Sequence, residues 1–454
     1  MLNRILFATI LVCLFFSKEI IAQADTSDEQ VKSGWNFGGL PVVAYDSDLG
    51  FQYGALLNIF NYGDGSRYPD FDHNLYIEWS RFTKGSGINR IFFDSKQLIP
   101  GIRFTTDLSY LTDGTYDFFG FNGYESVYNS EWSEDISRVF YKYDRELFRF
   151  SVDLQGKLPM ENFGWAAGFG IYDFDIGSVD IDNLNEGRDA NDPERLPDIP
   201  GLYDHYINWG IINNEEANGG IATYLKAGLV YDTRDFEPNP TKGIWTEAVF
   251  TYAPSFLGIG NDFEHVKFSL THRQYFTLIK KKLSFAYRLG YQGTVFGEVP
   301  FYLQQNLTTL ILRGSTSEGL GGGKSLRGII RNRVVGDGIA YGNLELRWKF
   351  VRFQLLSQNF YLSLNTFVDG GQVVTPVKIN TDDIDWDNYN WDSEGRTFSE
   401  NDFFREDSES LHMSYGAGLR IIMNQNFIVA IDHGRPFSEK DGSSGTYIGL
   451  NFLF

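Results

Sequence analysis

The chain of 454 residues carries 59 acidic and 39 basic side chains, which gives a formal net charge of -20 at pH 7. This balance disfavours nucleic acid as a partner, because phosphates require a basic stripe. Phe, Trp and Tyr supply 17% of the residues, and Gly numbers 48. A soluble helical protein does not need so many rings, whereas the interfacial girdles of a transmembrane β-barrel do. A secreted β-sandwich or propeller is the alternative class.

Residues 1–24 have the organisation of a secretory signal peptide. Arg4 provides the positive start, residues 5–16 the apolar segment, and Ala22-Gln23-Ala24 the small-residue cleavage site. The apolar segment is too short for a helix that spans a bilayer. We therefore predict cleavage after Ala24 and export of the mature chain.

The mature chain is predicted to begin with a short periplasmic segment, residues 25–36, followed by one barrel domain, residues 37–454. The segment is too short to fold as a domain of its own. Cys13, the single cysteine of the sequence, lies in the signal peptide. Disulfides and thiol catalysis are therefore not expected in the mature protein.

From residue 37 onward, apolar and polar side chains alternate and no helical period persists. Leu344 and Leu346 share one face of a strand, for example, while Glu345 and Arg347 share the other. Apolar faces toward lipid and polar faces toward a lumen predict an all-β fold, a 16-stranded antiparallel transmembrane β-barrel. The predicted strands lie near residues 37–46, 49–60, 72–83, 88–99, 102–113, 145–157, 163–176, 221–232, 243–253, 264–277, 282–295, 339–350, 358–368, 412–422, 426–432 and 446–454.

The connections between these strands indicate which end of the barrel faces outward. If both termini are periplasmic, the long connections 114–144, 178–220, 296–338 and 369–411 all fall on the outer side. Long outer loops joined by short periplasmic turns are the bacterial outer-membrane pattern. Two of these loops are strongly acidic, so we expect an acidic surface on the outer side of the barrel. The alternative is that the acidic residues serve only to solvate exposed loops.

A glycine-rich stretch, Gly321 to Ile329, lies in one of the long outer connections. Its glycines permit a tight hairpin, because glycine takes positive φ without steric cost. We predict that the hairpin folds inward and carries Arg327 into the lumen. Asp369 lies on the lumen-facing side of the thirteenth predicted strand, so we expect it to pair with Arg327.

The end of the sequence carries a second pattern. Tyr447, Gly449, Phe452 and Phe454 match the spacing of the C-terminal signal by which outer-membrane barrels are recognised for insertion. The first position of that signal is usually polar, so Tyr447 departs mildly from it. With a signal peptide and alternating strands, the pattern favours outer-membrane localisation.

Several motifs together resemble the BamA/TamA superfamily, which includes the two-partner-secretion transporters. Asp232-Thr233-Arg234-Asp235 and Pro240-Thr241-Lys242-Gly243 resemble its Asp-x-Arg-Asp…Pro-x-x-Gly hairpin. Leu326-Arg327-Gly328-Ile329 resembles its sixth-loop motif, although an aromatic residue usually stands where Ile329 does. The resemblance extends to the twelfth strand with Glu345 and to Asp369-Gly370-Gly371 at the end of the thirteenth. It is strong over residues 220–454 and weak over 37–219.

The resemblance implies a role in inserting or assembling outer-membrane polypeptides, or in translocating secreted polypeptides or lipid. It implies outer-membrane lipid, client outer-membrane proteins and periplasmic or lipoprotein partners. Residues 25–36 are too few for the POTRA domains that the family usually carries, so the sequence resembles a barrel-only branch. Gly38, Gly39 and Pro41 in the first strand would weaken its pairing with the last. A passive outer-membrane channel and a structural subunit of a larger complex are the alternatives.

Enzymatic and metal-binding patterns are weak. Ser269 and His272 point to opposite faces of one strand, and the sequence has no Gly-x-Ser-x-Gly elbow, so no catalytic residues and no cofactor are expected. Asp383, Asp385, Asp387 and Glu394 have the spacing of a calcium loop. Asn388 replaces its usual glycine. We assign no metal site and leave calcium binding by residues 382–409 open.

Overall fold

The computed structural model describes residues 30–46, 50–257, 263–310, 319–386 and 398–454. The predicted signal peptide lies outside the described residues, as do Asp387 and Glu394 of the calcium pattern. Both features therefore remain predictions from the sequence.

Sixteen strands in the described ranges form one sheet, in which each strand pairs antiparallel with its neighbours in chain order. This order confirms the predicted fold class. The strands are β1 (Trp35–Asp46), β2 (Gly50–Asn61), β3 (His73–Phe82), β4 (Gly87–Ile99), β5 (Ile102–Asp117), β6 (Lys142–Lys157), β7 (Phe163–Gly177), β8 (Gly219–Asp232), β9 (Gly243–Ala253), β10 (His265–Ile279), β11 (Leu283–Gly297), β12 (Gly338–Leu355), β13 (Gln358–Thr375), β14 (His412–Met423), β15 (Phe427–Pro436) and β16 (Gly445–Leu450).

Helices are short and occur in the connections. The α-helices in the described residues are α1 (Trp132–Asp135), α2 (Ile181–Leu184), α3 (Leu202–Asn208), α4 (Phe301–Gln304) and α5 (Glu400–Phe403). Short 3-10 helices include Gly123–Glu125, Ser255–Leu257 and Glu439–Asp441. Among the described residues, none of the helices has the length and apolar character needed to cross a bilayer.

The two faces of the sheet differ as the alternation predicts. Leu344 and Trp348 on the outer face are 45% and 50% exposed, whereas Glu345 and Arg347 between them are buried inside. Apolar side chains remain outside because lipid, and not a protein core, is the medium that the outer face fits. Of the buried arginines inside, Arg327 and Arg420 are paired with acids, since an isolated charge there is costly.

The long connections pack together at one end of the barrel, which we call the loop end. Rings from four connections form a continuous apolar cluster there, which we call the dome. Phe118 meets Tyr206 edge-to-face with ring centroids 5.1 Å apart, and Trp209 meets Phe403 at 4.9 Å. Offset and edge-to-face ring pairs are the favoured arrangements, so the dome is a packed core rather than a set of independent loops.

The opposite end, the turn end, carries the short connections. One connection there, residues 233–242, reaches both sides of the barrel mouth. The carboxylate of Glu237 accepts a hydrogen bond from Arg103 Nη1 of β5 at 2.9 Å. The side-chain amide of Asn239 donates to the hydroxyl of Tyr361 in β13. Because these partners lie in well-separated strands, the turn crosses the mouth.

The sheet does not close. Within the described residues β1 pairs only with β2 and β16 only with β15, so a seam remains between β1 and β16. The predicted last strand, 446–454, is wrong at its end, because β16 stops at Leu450. Asn451 takes a left-handed φ of 69°, which bends the chain out of the sheet. Strands β12 and β13 also run to Leu355 and Thr375, beyond their predicted ends.

Candidate functional site

The glycine-rich connection before β12 turns back on itself inside the barrel. Gly321, Gly322 and Gly328 adopt positive φ values of 118°, 77° and 95°. The hydroxyl of Ser325 accepts from Gly321 N at 2.9 Å, and its single hydrogen lies within bonding distance of the carbonyls at Gly319 and Gly321. These bonds satisfy backbone groups that the tight turn leaves without a strand partner. Residues 319–330, which we call the inner loop, therefore fold as predicted.

Arg327 at the tip of the inner loop is fully buried and contacts two acids. Its Nε and Nη2 donate to the two oxygens of Asp369 at 2.9 and 3.0 Å, and its backbone N donates to Asp369 Oδ2 at 3.0 Å. Its Nη1 donates to Glu345 Oε1 at 2.6 Å. The guanidinium also lies 3.6 Å from the ring centroid of Phe367. The predicted contact with Asp369 is present. Glu345 accepts from the remaining nitrogen, and only the planar guanidinium of an arginine can donate to both carboxylates in this way.

The ion pair is part of a larger network on the lumen face of β12 to β15. The second oxygen of Glu345 accepts from Arg347 Nε at 2.7 Å. Arg420 donates to both oxygens of Asp432 at 2.8 Å, and Asp432 lies 3.7 Å from Arg327 Nη1. Alternating cations and anions offset one another's desolvation, which a single buried charge could not do.

The inner loop also packs on the last two strands. The backbone N of Gly328 donates to the hydroxyl of Tyr447 in β16 at 3.1 Å. A side chain at Gly328 would collide with the backbone at Arg435 in β15, 2.5 Å away, so the loop and strand touch directly. At Gly371 an added Cβ would meet Leu326 and Leu320 of the loop at 2.9 and 3.0 Å. The predicted loop residues thus come together.

Ile329 is fully buried in an apolar cluster beside the inner loop. It shares this cluster with Leu320, Leu326 and Val334, so an aliphatic side chain fills the space where relatives usually carry a ring. The guanidinium of Arg327 instead lies over Phe367 of β13. The departure at Ile329 is therefore accommodated by the packing around it.

The second motif forms a separate centre at the turn end. Asp232 accepts from Arg234 Nε at 2.9 Å and from Nη2 at 3.0 Å, and the guanidinium lies 4.1 Å from the ring centroid of Trp245. Asp235 accepts from the backbone and hydroxyl of Thr241, at 2.9 and 2.6 Å. Both acids make their bonds within this one hairpin. The motif therefore shapes the turn that crosses the mouth.

The end of that hairpin is also tightly packed. Pro240 is buried, and Gly243 begins β9 with φ at 101°. This φ lies in the region that glycine favours. The hairpin motif therefore does not join the ion-pair network of the inner loop, and its residues serve a different part of the barrel.

Across the seam, the turn end is held by contacts that the sequence did not predict. Gln30 N donates to Asn359 Oδ1 at 3.1 Å, and Asn359 Nδ2 returns a bond to Gln30 O at 3.0 Å. The Lys32 ammonium donates to the carbonyl of Ser357 in the turn between β12 and β13. The segment before β1 therefore reaches past β16 to the strands beyond it.

A second bridge joins the β2–β3 turn to the β14–β15 turn. Asn426 Nδ2 donates to the hydroxyl of Tyr62 at 3.0 Å and to the carbonyl of Pro69 at 2.6 Å. Phe427 of β15 packs in one apolar cluster with Phe60 of β2, and its ring fills the space beside Gly38 of β1. We call residues 30–34, 61–72, 356–359 and 423–427 together the clasp. It closes the turn end of the seam with side chains instead of strand pairing.

A cavity of about 550 Å³ lies along the seam above the clasp. Its wall includes Val42 of β1 and Leu450 of β16, together with Asn58, Arg90 and Lys324. Apolar groups from the strand edges thus lie beside polar groups of the lumen. Such a mixed wall suits a segment that has one apolar and one polar face.

The residues of the predicted C-terminal insertion signal lie in two different places. Tyr447 and Gly449 lie in β16 and turn toward the lumen, whereas Phe452 and Phe454 have left the strand and are buried inside the barrel. Asparagine tolerates the left-handed conformation that Asn451 adopts, which is the one local sign of this bend. The role of Tyr447, Gly449, Phe452 and Phe454 as an insertion signal remains a prediction.

Taken together, these features define the class of the protein. One sixteen-stranded sheet with a polar lumen, an apolar outer face and a loop anchored inside is the architecture of a membrane β-barrel. Residues 90–454 match the model of the Omp85 superfamily domain. The chain belongs to the Omp85 superfamily, and the resemblance deduced from its motifs is confirmed.

Two solved structures show the same fold. BamA from Haemophilus ducreyi lacking POTRA domains 1-3 aligns with a TM-score of 0.50 and 16% identity, over 92% of this chain and 70% of that one. CdiB from Escherichia coli aligns with a TM-score of 0.52 and 13% identity, over 92% of this chain and 62% of that one. No curated protein matches the chain. At these identities the likeness concerns the fold alone.

Proposed function

We propose that this barrel acts in the bacterial outer membrane, where it inserts outer-membrane polypeptides or translocates polypeptides or lipid through the seam between β1 and β16. The observation that carries the proposal is the absence of pairing between these two strands within the described residues. The predicted signal peptide and the membership in the Omp85 superfamily support the location. The resemblance of its motifs to a superfamily that includes the two-partner-secretion transporters supports the choice of polypeptides as clients.

The unpaired edge provides the physical basis for this activity. In lipid, a strand edge with free N–H and C=O groups is costly, because no water is available to hydrogen-bond them. A client strand that adds to β1 would satisfy those groups by main-chain pairing. Pro41 within β1 lacks a backbone donor, and a proline in a sheet is characteristic of an edge strand.

The cavity behind the seam offers a place for the client segment. A strand of a membrane barrel has one apolar and one polar face, and the cavity wall has both kinds of group. The inner loop lies next to the cavity through Lys324, and its ion pairs keep it fixed against β12 to β15. A fixed loop on one side and an unpaired edge on the other would let β1 move while the later strands stay in place.

A passive pore is supported less well. The dome packs rings from several connections over the loop end, and residues 233–242 cross the turn end. Free conduction of solutes would require both to move. Conductance recordings on the purified barrel test this alternative, and a stable open conductance at rest would favour it.

The seam can be tested by locking it. Val43 of β1 and Ile448 of β16 are exposed on the outer face and line the cavity at the seam. We expect that Val43→Cys and Ile448→Cys, joined through two disulfides by a short bis-methanethiosulfonate linker, abolish insertion of a urea-unfolded eight-stranded barrel into liposomes. Opening of the seam is then impossible, whereas reductive release of the linker restores activity.

The matched control is a cysteine pair that joins strands already paired. Leu57 of β2 and Ile77 of β3 are register partners in the sheet. A link between Leu57→Cys and Ile77→Cys leaves the seam free and should preserve activity. Full activity of the seam-linked protein, with linkage shown on gels, would contradict the proposal.

A further inference from the structure

A small cavity of about 60 Å³ lies inside the barrel beside β8, β9 and β10. Its wall includes Lys226, Thr251 and Lys267 of these strands, and Leu303 and Asn306 of the connection between β11 and β12. The three strands lie about midway round the sheet from the seam, so this cavity is separate from the one at the seam. Such a volume accommodates several water molecules or one small organic molecule.

Lys267 is a buried cation without an acid beside it. The residue is 5% exposed, and its one hydrogen bond in the described part of the chain is to Leu303 O at 3.5 Å. An ammonium has three hydrogens to donate. Asp337 attracts it from farther away, but the carboxylate of Asp337 accepts from Thr294 Oγ1 at 2.6 Å. Because a buried charge without a close partner is costly, an anion beside Lys267 would be strongly favoured.

Two further donors of the cavity wall lack partners. The hydroxyl of Thr251 and Nδ2 of Asn306 are buried and form no hydrogen bond with the described residues. Thr251 is the register partner of both Lys226 and Lys267, so its position lies between the two lysines. Buried polar groups without partners are rare, and each needs an explanation. Since all these groups can donate, they indicate a ligand that accepts.

The charges around the cavity favour a ligand with one negative charge. The ammonium of Lys226 lies 2.7 Å from Asp153 Oδ1, so this pair is neutral overall. No Asp or Glu of the described residues lines the cavity, and Lys267 therefore leaves one positive charge there. Leu303 and Leu307 make another part of the wall apolar, which suits a hydrocarbon group.

From this geometry we propose that the cavity binds a small monocarboxylate, an acid of about the size of acetate. Its carboxylate would accept from Lys267, Thr251 and Asn306, since one carboxylate accepts several hydrogen bonds and a bond to an ammonium is charge-assisted. Lys267 and Thr251 belong to the barrel wall, whereas Asn306 belongs to the connection that leads to the inner loop. The bound acid would therefore fasten this connection to the wall. The inference is independent of transport through the seam.

The site can be tested with acetate. The probe is sodium acetate, added to the full chain in nanodiscs, and the measurement is saturation transfer from the protein to the acetate methyl group by NMR. We expect a saturable signal for the unchanged chain. Lys267→Met removes the charge at similar volume and should weaken acetate binding about tenfold or more, whereas Thr251→Val should weaken it about two- to tenfold.

The matched control is Lys157→Met, which removes an exposed lysine at the end of β6. This variant should bind acetate as the unchanged chain does. Nanodiscs of the same lipids without protein should give no saturable signal.

Stability gives a second measurement. Replacing chloride by acetate at constant ionic strength should raise the urea midpoint of the unchanged chain, because a ligand that binds only the folded state stabilises it. Lys267→Met should show no such rise. In chloride this variant should be at least as stable as the unchanged chain, since it lacks the unpaired charge. Lys267→Gln and Thr251→Val serve if it does not fold.

The tripeptide Ala-Ala-Ala distinguishes a free acid from the end of a polypeptide. It is too large for the cavity and should not displace acetate, so displacement would assign the site to a polypeptide end and overturn the inference. The inference is also overturned by the absence of a saturable acetate signal, by equal acetate binding in the unchanged chain and Lys267→Met, or by equal urea midpoints of the unchanged chain in acetate and chloride.

Discussion

Asp369 accepts three hydrogen bonds from Arg327, two from the guanidinium and one from the backbone N, at distances of 2.9 to 3.0 Å. The backbone bond fixes where the loop enters, and the guanidinium bonds fix the orientation of the side chain. One acid thus sets both the position of the inner loop and the direction of its charge.

Breaking this pair should affect assembly strongly. Removing one partner of a buried ion pair costs about 3–5 kcal/mol, because the other charge is left unpaired. Arg327→Ala and Asp369→Ala should each lower the urea midpoint of the barrel, measured by its heat-shifted gel mobility. The double variant should be little worse than either single one, and additive losses would show that the two side chains act independently.

Gly38 should tolerate no side chain. A Cβ at this position would lie 2.7 Å from ring atoms of Phe427 across the seam. Gly38→Ala should therefore destabilise the barrel by about 1–3 kcal/mol through overpacking. The control Gly177→Ala adds a methyl group that meets nothing within 4 Å. Equal urea midpoints for the two variants would contradict the contact between Phe427 and β1.

The clasp predicts a local effect of Asn426. Asn426→Ala removes the hydrogen bonds to Tyr62 and Pro69, each worth about 0.5–1.5 kcal/mol. We expect faster proteolysis within residues 61–72 and faster thiol linkage across the seam. Asn89→Ala, which removes an exposed bond to Tyr110 O at 3.2 Å, is the control. Unchanged cleavage of the β2–β3 turn would show that the clasp does not hold it.

The dome should loosen in acid. Burial in α3 lowers the pKa of His205 from 6.5 to about 3. Between these values the unfolded loop binds a proton that the folded dome does not. Stability therefore falls as the pH drops below about 6.5, by up to about 1.4 kcal/mol per pH unit.

The neighbouring Trp209 reports this change, because its ring stacks on His205 with centroids 5.5 Å apart. Its fluorescence should shift to longer wavelength as the dome opens between pH 6 and pH 4. His205→Phe keeps a ring without a titrating group and should remove much of the shift. The same acid transition in that variant would assign the effect to other groups.

The strands were predictable because lipid imposes a strict rule. Every spanning segment must alternate, so the positions of Leu344 and Glu345 follow from a period of two residues. Burial of Arg327 beside Asp369 also followed, since a charge carried into the lumen needs a partner there. The family motifs pointed to the same pair.

The rest depends on contacts between distant segments. The clasp joins Gln30 to Asn359, and no local pattern marks that pairing. The end of β16 was missed because an alternating sequence continues through Asn451, whereas a single left-handed residue ends the strand. The crossing of the turn-end mouth by residues 233–242 also depends on partners in β5 and β13 that the hairpin motif does not reveal.

The dome has a consequence for the order of folding. Its rings come from connections as far apart as Phe118 and Phe404, which lie on either side of eight strands of the sheet. Contacts between such distant parts of a chain form late, because the intervening segments must first be ordered. The hydrophobic interior of the dome can therefore assemble only after strands β6 to β13 have paired. Completion of the dome would therefore be a late step in the maturation of the barrel.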